Sequence, residues 1–156
     1  MTITIELART AVQYEAGRTL IEAYAEYLGI DLEFQNFSEE LATLEQMYGA
    51  PTGCLLLAKE GASYIGVIGL RELEPGIAEM KRLFVPKAHQ GKGAGALLVA
   101  RFLEEARQLG YRAVRLDSIQ TQGQAIDMYR KLGFVEIAAY RYNPFPDAIY
   151  MEYLIA

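Results

Sequence analysis

A glycine-rich segment between a predicted strand and a predicted helix constrains the fold more than any other feature of this sequence. Residues 80–85 are mostly apolar and read as a strand, and the chain beyond the segment has apolar residues at helical spacing, namely Leu98, Phe102, Ala106 and Leu109. The segment itself consists of Gln90, Gly91, Lys92, Gly93, Ala94 and Gly95. Alternating glycines expose backbone N–H groups beside the positive end of a helix dipole, which favours a bound phosphate.

Glycine-rich segments between a strand and a helix also occur in three other structural contexts. A tight turn without a ligand needs the same glycines. The Walker pattern requires Ser or Thr after Gly-Lys, but Gly93 follows Lys92. A dinucleotide fingerprint fits the spacing of Gly91, Gly93 and Ala96, with Asp117 as the acid that binds the ribose. However, five residues separate the glycines from the preceding strand, and too few residues follow them to form a doubly wound sheet. A dinucleotide-binding module therefore remains a minor alternative.

The charge distribution favours an anion at the same place. Residues 80–103 contain five cations and no carboxylate. Residues 1–79 have a net charge of −9 and residues 80–156 a net charge of +4, which gives the overall −5. An acidic chain that is basic only locally predicts a phosphorylated small molecule and no nucleic acid as a partner.

Two motifs together resemble one family. The segment from Gln90 to Gly95 is similar to the Gln/Arg-x-x-Gly-x-Gly/Ala signature of the GNAT superfamily of N-acetyltransferases, which holds the pyrophosphate of coenzyme A. Residues 125–134, with Tyr129 followed by Leu132, Gly133 and Phe134, look like the later helix of that family. Residues 79–85 and 142–146 are similar to a large bacterial group within it, for which no acceptor is implied.

The order of predicted elements agrees with this resemblance. Periodicity and turn residues predict a strand, two helices, three antiparallel strands, a helix, a strand, a helix and a Tyr- and Pro-rich hairpin. The second helix is predicted to open at Ser38 and to close near residue 49. We therefore expect one α+β domain over residues 1–156. The GNAT fold implies a mixed, mostly antiparallel sheet of six to seven strands, flanked by about four helices and splayed into a central V.

Composition limits the environment of the protein. No apolar stretch approaches the roughly 20 residues that span a membrane, and no export signal opens the chain. The single cysteine, Cys54, excludes an internal disulfide and is predicted to be a core residue. These features predict a cytoplasmic protein without membrane contact. The single histidine, His89, is predicted to pack rather than to act as a base, and no metal site is expected.

The resemblance also implies a set of cosubstrate-binding residues. Acetyl-CoA is the implied cosubstrate. Its pantetheine arm would bind the backbone of Leu83, Phe84 and Val85, and its pyrophosphate would bind the segment that comprises Gln90, Gly91, Lys92, Gly93, Ala94, Gly95 and Ala96. Family members often place an asparagine where this chain has Gln122, with Gln124 as a second amide nearby.

Two residues are candidates for proton transfer. Tyr129 matches the family tyrosine that protonates the leaving thiolate, and packing beneath Phe134 is its structural alternative. Glu79 stands where many members have a base for the amine, but it could equally be a solvent-facing residue paired with Lys81. Asp117 could orient the acceptor or simply cap its strand.

The predicted activity is transfer of an acetyl group from acetyl-CoA to a primary amine, by direct attack in a ternary complex. The amine belongs to a small molecule or to a protein. The acidic N-terminal half and the aromatic residues of the hairpin favour a small cationic amine. A catalytically idle domain that binds or senses acyl-CoA is the alternative, and a homodimer stays open.

Overall fold

The structure is a computed structural model that describes residues 2–29, 31–119 and 123–155. Its strands are β1 Ile3–Leu7, β2 Cys54–Glu60, β3 Ser63–Glu74, β4 Ile77–Phe84, β5 Ala113–Ile119, β6 Val135–Ile137 and β7 Ala148–Leu154. Its α-helices are α1 Ala11–Leu28, α2 Phe37–Ala42, α3 Leu44–Met47, α4 Ala94–Gln108 and α5 Gly123–Leu132. Two short 3-10 turns, Glu33–Gln35 and Lys87–His89, precede α2 and the glycine-rich segment.

The strands form one mixed sheet in the order β1-β2-β3-β4-β5-β7-β6. Every neighbouring pair is antiparallel except β4 and β5, which run parallel. The α+β class and the mostly antiparallel seven-stranded sheet are therefore confirmed.

The predicted central V is confirmed between β4 and β5. These strands pair only from Ile77 with Ala113 to Glu79 with Arg115, although β4 continues to Phe84 and β5 to Ile119. Where β4 leaves its partner, Arg82 adopts a φ of 63° and the register between β3 and β4 shifts. Such a bulge bends a strand and ends its pairing. The last residues of β4 consequently have backbone groups without a partner on β5.

Alternation along the strands divides the core between the two faces of the sheet. On β2, Leu56 and Ala58 pack in the cluster that includes Phe102 of α4, whereas Leu55 and Leu57 pack in the cluster that includes Ile21 of α1. This is the two-residue period of a strand buried on both sides. Helix α5 joins the α4 cluster through Ile126 and Tyr129.

The second predicted helix was wrong in its start and in its continuity. It begins at Phe37 rather than behind a Ser38 cap, because the Ser38 backbone and hydroxyl both donate to Glu33. It then breaks at Thr43, whose φ of −121° is not helical and whose hydroxyl donates to the Glu39 carbonyl at 2.8 Å. Local hydrogen bonding of this kind competes with helix continuation. The described residues therefore form five α-helices where about four were predicted.

Candidate active site

A cavity beside the glycine-rich segment, here called the loop cavity, has a volume of about 420 Å³. It extends from the end of β4 across the segment to α5. Its lining residues are Tyr27, Leu83, Phe84, Val85, His89, Gln90, Gly91, Gly93, Ala94, Gly95, Ala96, Gln124, Ala125 and Met128. Nearly all the residues that the sequence assigned to the cosubstrate are thus brought to one place. Lys92 is the member of the segment that does not line it.

The glycines make the segment an open cradle of backbone groups. Gly91 and Gly93 have φ values of 83° and 87°, which a residue with a Cβ rarely adopts. A Cβ added at Gly91, Gly93 or Gly95 would meet no atom within 4 Å. Gly93 is the N-cap of α4, and no side chain caps the helix. The first N–H groups of α4 are therefore available to an anion, and the cradle fits a pyrophosphate.

The polar side chains around the cradle fix its shape. The Gln90 amide donates to the Val85 carbonyl at 2.8 Å and ties the segment to the end of β4. The Lys92 ammonium lies 3.0 Å from a Glu60 oxygen, and its hydrogen bond lowers the pKa of Glu60. Among the described residues, His89 Nδ1 is a buried nitrogen without a hydrogen-bond partner. These side chains position the backbone, which supplies the donors.

A second cavity, here called the V cavity, lies where β4 and β5 separate. Its volume is about 40 Å³, and its lining residues are Tyr24, Met80, Arg82, Leu83, Leu116, Asp117, Ser118, Ala125 and Tyr129. Leu83 and Ala125 also line the loop cavity, so the two spaces are adjacent.

Tyr129 lies both in the core and at the wall of the V cavity, so its position is compatible with either interpretation of the sequence. Its ring packs on Phe134 with centroids 5.5 Å apart, and the residue also lines the V cavity. Burial raises the pKa of Tyr129, followed in size by the effect of Tyr24. The phenol consequently keeps its proton at neutral pH.

A third cavity, here called the Lys81 cavity, continues from the V cavity toward α1. It has a volume of about 50 Å³ and is lined by Tyr24, Leu28, Leu32, Gln35, Met80, Lys81, Arg82, Asp117, Ser118, Ile119, Asn143 and Phe145. Tyr24, Arg82 and Asp117 line both spaces. The loop joining β6 to β7 supplies Asn143 and Phe145, which form one wall.

Glu79 is neither solvent-facing nor paired with Lys81, which corrects that alternative. Its side chain is 0 % exposed and accepts hydrogen bonds from Arg71 Nε and the Tyr140 hydroxyl, both at 2.8 Å, and from the Arg141 guanidinium. The reason is that Glu79 lies in the last residue pair between β4 and β5, where strands flank it on both sides. Two strands and the 138–147 loop therefore meet at this carboxylate.

A buried ion pair at the bulge was missed by the sequence analysis. Arg82 donates from Nε and Nη2 to the two oxygens of Glu40 at 2.9 and 2.8 Å, and the Tyr48 hydroxyl donates to the same carboxylate at 2.9 Å. Burial alone would raise the pKa of Glu40, but the hydrogen bonds and charge of Arg82 outweigh it and lower that pKa. No sequence pattern links residues that lie 42 positions apart.

The remaining predicted residues have mixed outcomes. Gln122 lies outside the described residues, whereas Gln124 lines the loop cavity. Cys54 is buried, which raises the pKa of its thiol to about 12 and makes it a core residue rather than a nucleophile. Within the described ranges, no group of three or more His, Cys, Asp or Glu side chains could hold a metal ion.

The acids of the N-terminal half do not surround the Lys81 cavity. Glu22, Glu26 and Asp31 line a separate open groove along α1. Glu40, which does approach, is engaged by Arg82. The cationic acceptor predicted from the charge of residues 1–79 is therefore not supported by the lining of this cavity.

Comparison with known proteins now identifies the family. The sequence model of the acetyltransferase (GNAT) family matches residues 16–134. The chain belongs to the GNAT acetyltransferase family. It is 33 % identical over 152 residues to an uncharacterized N-acetyltransferase of Schizosaccharomyces pombe, which covers 96 % of this chain and 93 % of the relative. Because this relative is a yeast protein, the bacterial group predicted from residues 79–85 and 142–146 stays a prediction.

Solved GNAT structures share the fold of this acetyltransferase. A GNAT-family acetyltransferase from Staphylococcus aureus superposes with a TM-score of 0.82 at 20 % identity, covering 99 % of this chain and 100 % of the other. A putative acetyltransferase from Salmonella typhimurium, solved with its cofactor acetyl-CoA, gives a TM-score of 0.71 at 19 % identity, covering 100 % of this chain and 95 % of the other. The chain is thus an N-acetyltransferase by family and by fold. Across the described part of this acetyltransferase, no helix is long and apolar enough to cross a membrane.

Proposed function

We propose that this N-acetyltransferase transfers an acetyl group from acetyl-CoA to a primary amine in a ternary complex. The observation that supports this most is the continuity of the site. The loop cavity begins at the N-terminus of α4, which no side chain caps, and it adjoins the V cavity, which the protonated Tyr129 lines. A thioester with a diphosphate at one end and a reactive carbonyl at the other matches this arrangement.

The end of β4 is suited to the pantetheine arm. Leu83, Phe84 and Val85 line the loop cavity, and pairing with β5 has already ended at Glu79. Backbone N–H and C=O groups on that edge need partners, and the amides of pantetheine are matching donors and acceptors. The acetyl-CoA found with the Salmonella protein of the same fold supports the same cosubstrate here.

The transfer balances with one proton donor on the protein. The acceptor ammonium first loses a proton, and the neutral nitrogen then forms a bond to the acetyl carbonyl carbon. As the C–S bond breaks, sulfur takes its electron pair and receives the proton of Tyr129. The new amide nitrogen releases its extra proton, and solvent reprotonates Tyr129. An N–H of β4 polarises the carbonyl, as hydrogen-bond donors do in acyl transfer.

Glu79 remains a candidate for the proton acceptor on this path. Its engagement by Arg71, Tyr140 and Arg141 fits an anchor for the 138–147 loop better than a free base. Deprotonation by water is consistent with the same site. The substitution Glu79→Gln separates a role as proton acceptor from a role as loop anchor.

Measurement of free thiol release from acetyl-CoA tests the proposal. A panel of amino acids, polyamines, aminoglycosides and N-terminal peptides covers small-molecule, cationic and protein-like amines. Release that depends on one of these amines is expected. Tight calorimetric binding of coenzyme A with no release for any amine would instead support the idle acyl-CoA-binding domain.

A further inference from the structure

Lys81 has a buried amino group at the wall of the Lys81 cavity. Lys81 is 7 % exposed. Its Nζ donates to the Gln35 amide oxygen at 3.3 Å. Within the described part of the chain, no carboxylate forms an ion pair with it. A buried cation with one long, neutral partner is costly unless another group approaches it.

The charges around Lys81 are already committed elsewhere. Arg82 on its own strand binds Glu40 of α2, and Arg71 of β3 binds Glu79. Asp117 of β5 lines the same cavity and lies at hydrogen-bond distance from the Asn143 amide. Among the described residues, the cavity therefore presents one cation without an ion-pair partner, Lys81 on β4, and one anion, Asp117 on β5.

The dimensions of the cavity match a small anionic group. One water needs roughly 10–15 Å³ by this measure. A cavity of about 50 Å³ therefore holds roughly three to five heavy atoms, which is enough for a carboxylate. The space opens into the V cavity and Tyr129 through their shared lining. An anion at Lys81 would thus belong to the molecule whose amine is acetylated.

We propose that the acceptor is a small amine that also bears a carboxylate, and that Lys81 binds this carboxylate. The inference rests on the proposed acetyl transfer and specifies its substrate class as amino acids. Asp117, on the facing strand, attracts the ammonium end of the same molecule before it loses its proton. A cavity with both signs of charge suits a zwitterion better than a polyamine.

The ionisation of Lys81 gives the proposal a pH signature. Burial, with a further contribution from Arg82, lowers the pKa of Lys81 to about 7, while Glu40 and Asp117 act in the opposite direction and Arg71 adds to the lowering. A bound carboxylate favours the charged ammonium and raises that pKa. Above about pH 7 binding must therefore take up a proton, and affinity for the carboxylate falls as the pH increases.

The test compares amino acids with their carboxamides as acceptors for wild type and Lys81→Met. Wild type should use at least one amino acid with a kcat/KM about tenfold or more above that of its carboxamide. Lys81→Met should lower kcat/KM for the amino acid by at least about tenfold and change the carboxamide by less than about twofold. Lys131→Met, an exposed lysine on α5, is the matched control and should retain the preference. Equal or better use of carboxamides by wild type, or an undiminished preference in Lys81→Met, overturns the proposal.

A binding measurement separates this proposal from the transfer reaction itself. Calorimetry of the coenzyme A-saturated protein with N-acetyl amino acids and their amides involves no titrating amine. Wild type should bind the acids more tightly, with affinity decreasing from pH 7 to pH 9, even if no amine in the panel releases thiol. Absence of any preference for the acid, or a preference that does not change with pH, contradicts the assignment of Lys81. Loss of coenzyme A binding or thiol release alone would count against the proposed function.

Discussion

Tyr129 packs in the core and lines the V cavity, so a single substitution can separate its packing from its proposed proton transfer. The ring contributes to the core beside Phe134, and burial keeps the phenol protonated. Replacement by phenylalanine preserves the ring and removes the proton. We expect Tyr129→Phe to lower kcat by roughly 10²-fold and to leave the Kd for coenzyme A within about twofold.

Tyr153→Phe is a suitable control for this change. Tyr153 also packs on Phe134, with centroids 5.3 Å apart, and is not among the residues that line the V cavity. Its kcat should equal that of wild type. Steady-state thiol release for the three proteins checks the prediction, and an unaltered kcat in Tyr129→Phe would leave Tyr129 as a packing residue.

Glu79 could act as an anchor for the 138–147 loop or as the base for the amine, and one substitution distinguishes these roles. Because three donors hold its carboxylate, we expect Glu79→Gln to loosen the 138–147 loop, to raise KM for the acceptor several-fold and to preserve the shape of the pH–rate profile. Loss of the acidic limb would assign amine deprotonation to Glu79. The exposed Glu136→Gln serves as the control.

At the start of α4, substitutions of Gly95 can distinguish the effect of an added charge from the effect of an added side chain. Gly95 does not need a positive φ, and a Cβ there meets no atom within 4 Å. Asp in the first turn of a helix is stabilising by about 0.3–1 kcal/mol, so Gly95→Asp should fold. It should nevertheless weaken coenzyme A binding by at least about 100-fold, because its carboxylate repels the pyrophosphate.

Gly95→Asn has nearly the same size without the charge. It should retain most of the affinity in a calorimetric titration. Equal affinity of the folded Asp and Asn variants would place the pyrophosphate away from α4.

The elements also show what the sequence could predict. The strands of the central sheet and α1 were predictable because alternation, a Thr10 capping box and Gly29 as a C-cap act locally. The break at Thr43 coincides with a non-helical φ and a hydrogen bond from its hydroxyl to the Glu39 carbonyl, which no periodicity of apolar residues indicates. Strand β6 has three residues, and pairing with β7 alone specifies it. Such features depend on tertiary neighbours that a local pattern does not contain.

At the scale of the whole molecule, the Glu40–Arg82 pair connects α2 to the bulge of β4. Both side chains are nearly inaccessible to solvent, at 1 % and 4 % exposure. Removing one member leaves an unpaired buried charge, so Glu40→Gln should lower the free energy of unfolding by roughly 3–5 kcal/mol at pH 7. Chemical denaturation at neutral pH measures this loss.

The same pair makes stability depend on pH with a definite sign. The pKa of Glu40 in the folded protein lies below its ordinary value of 4.5. Its stabilisation is therefore complete above about pH 4.5 and is lost as the pH falls through the lower, folded value. Glu40→Gln should consequently show a shallower decrease in stability below pH 4.5 than wild type. Parallel decreases would mean that other carboxylates determine acid unfolding.

The site as a whole was only partly predictable from the sequence. The glycine cradle and Tyr129 belong to contiguous motifs, which local spacing reveals. The burial of Lys81 and the Glu40–Arg82 pair depend on tertiary contacts between segments that are far apart along the chain. The net charge of the N-terminal half does not tell where its acids lie, and Glu22, Glu26 and Asp31 line another groove.

The short pairing between β4 and β5 gives the sheet an internal seam. One half comprises β1 to β4, the other β5 to β7, and the ladder across the seam spans only Ile77 to Glu79 on β4. A cosubstrate whose amides bond to the free edge of β4 would extend this ladder as a replacement strand does. A bound cosubstrate would then link the two halves of the sheet, so that the two halves unfold more cooperatively in the complex than in the free enzyme.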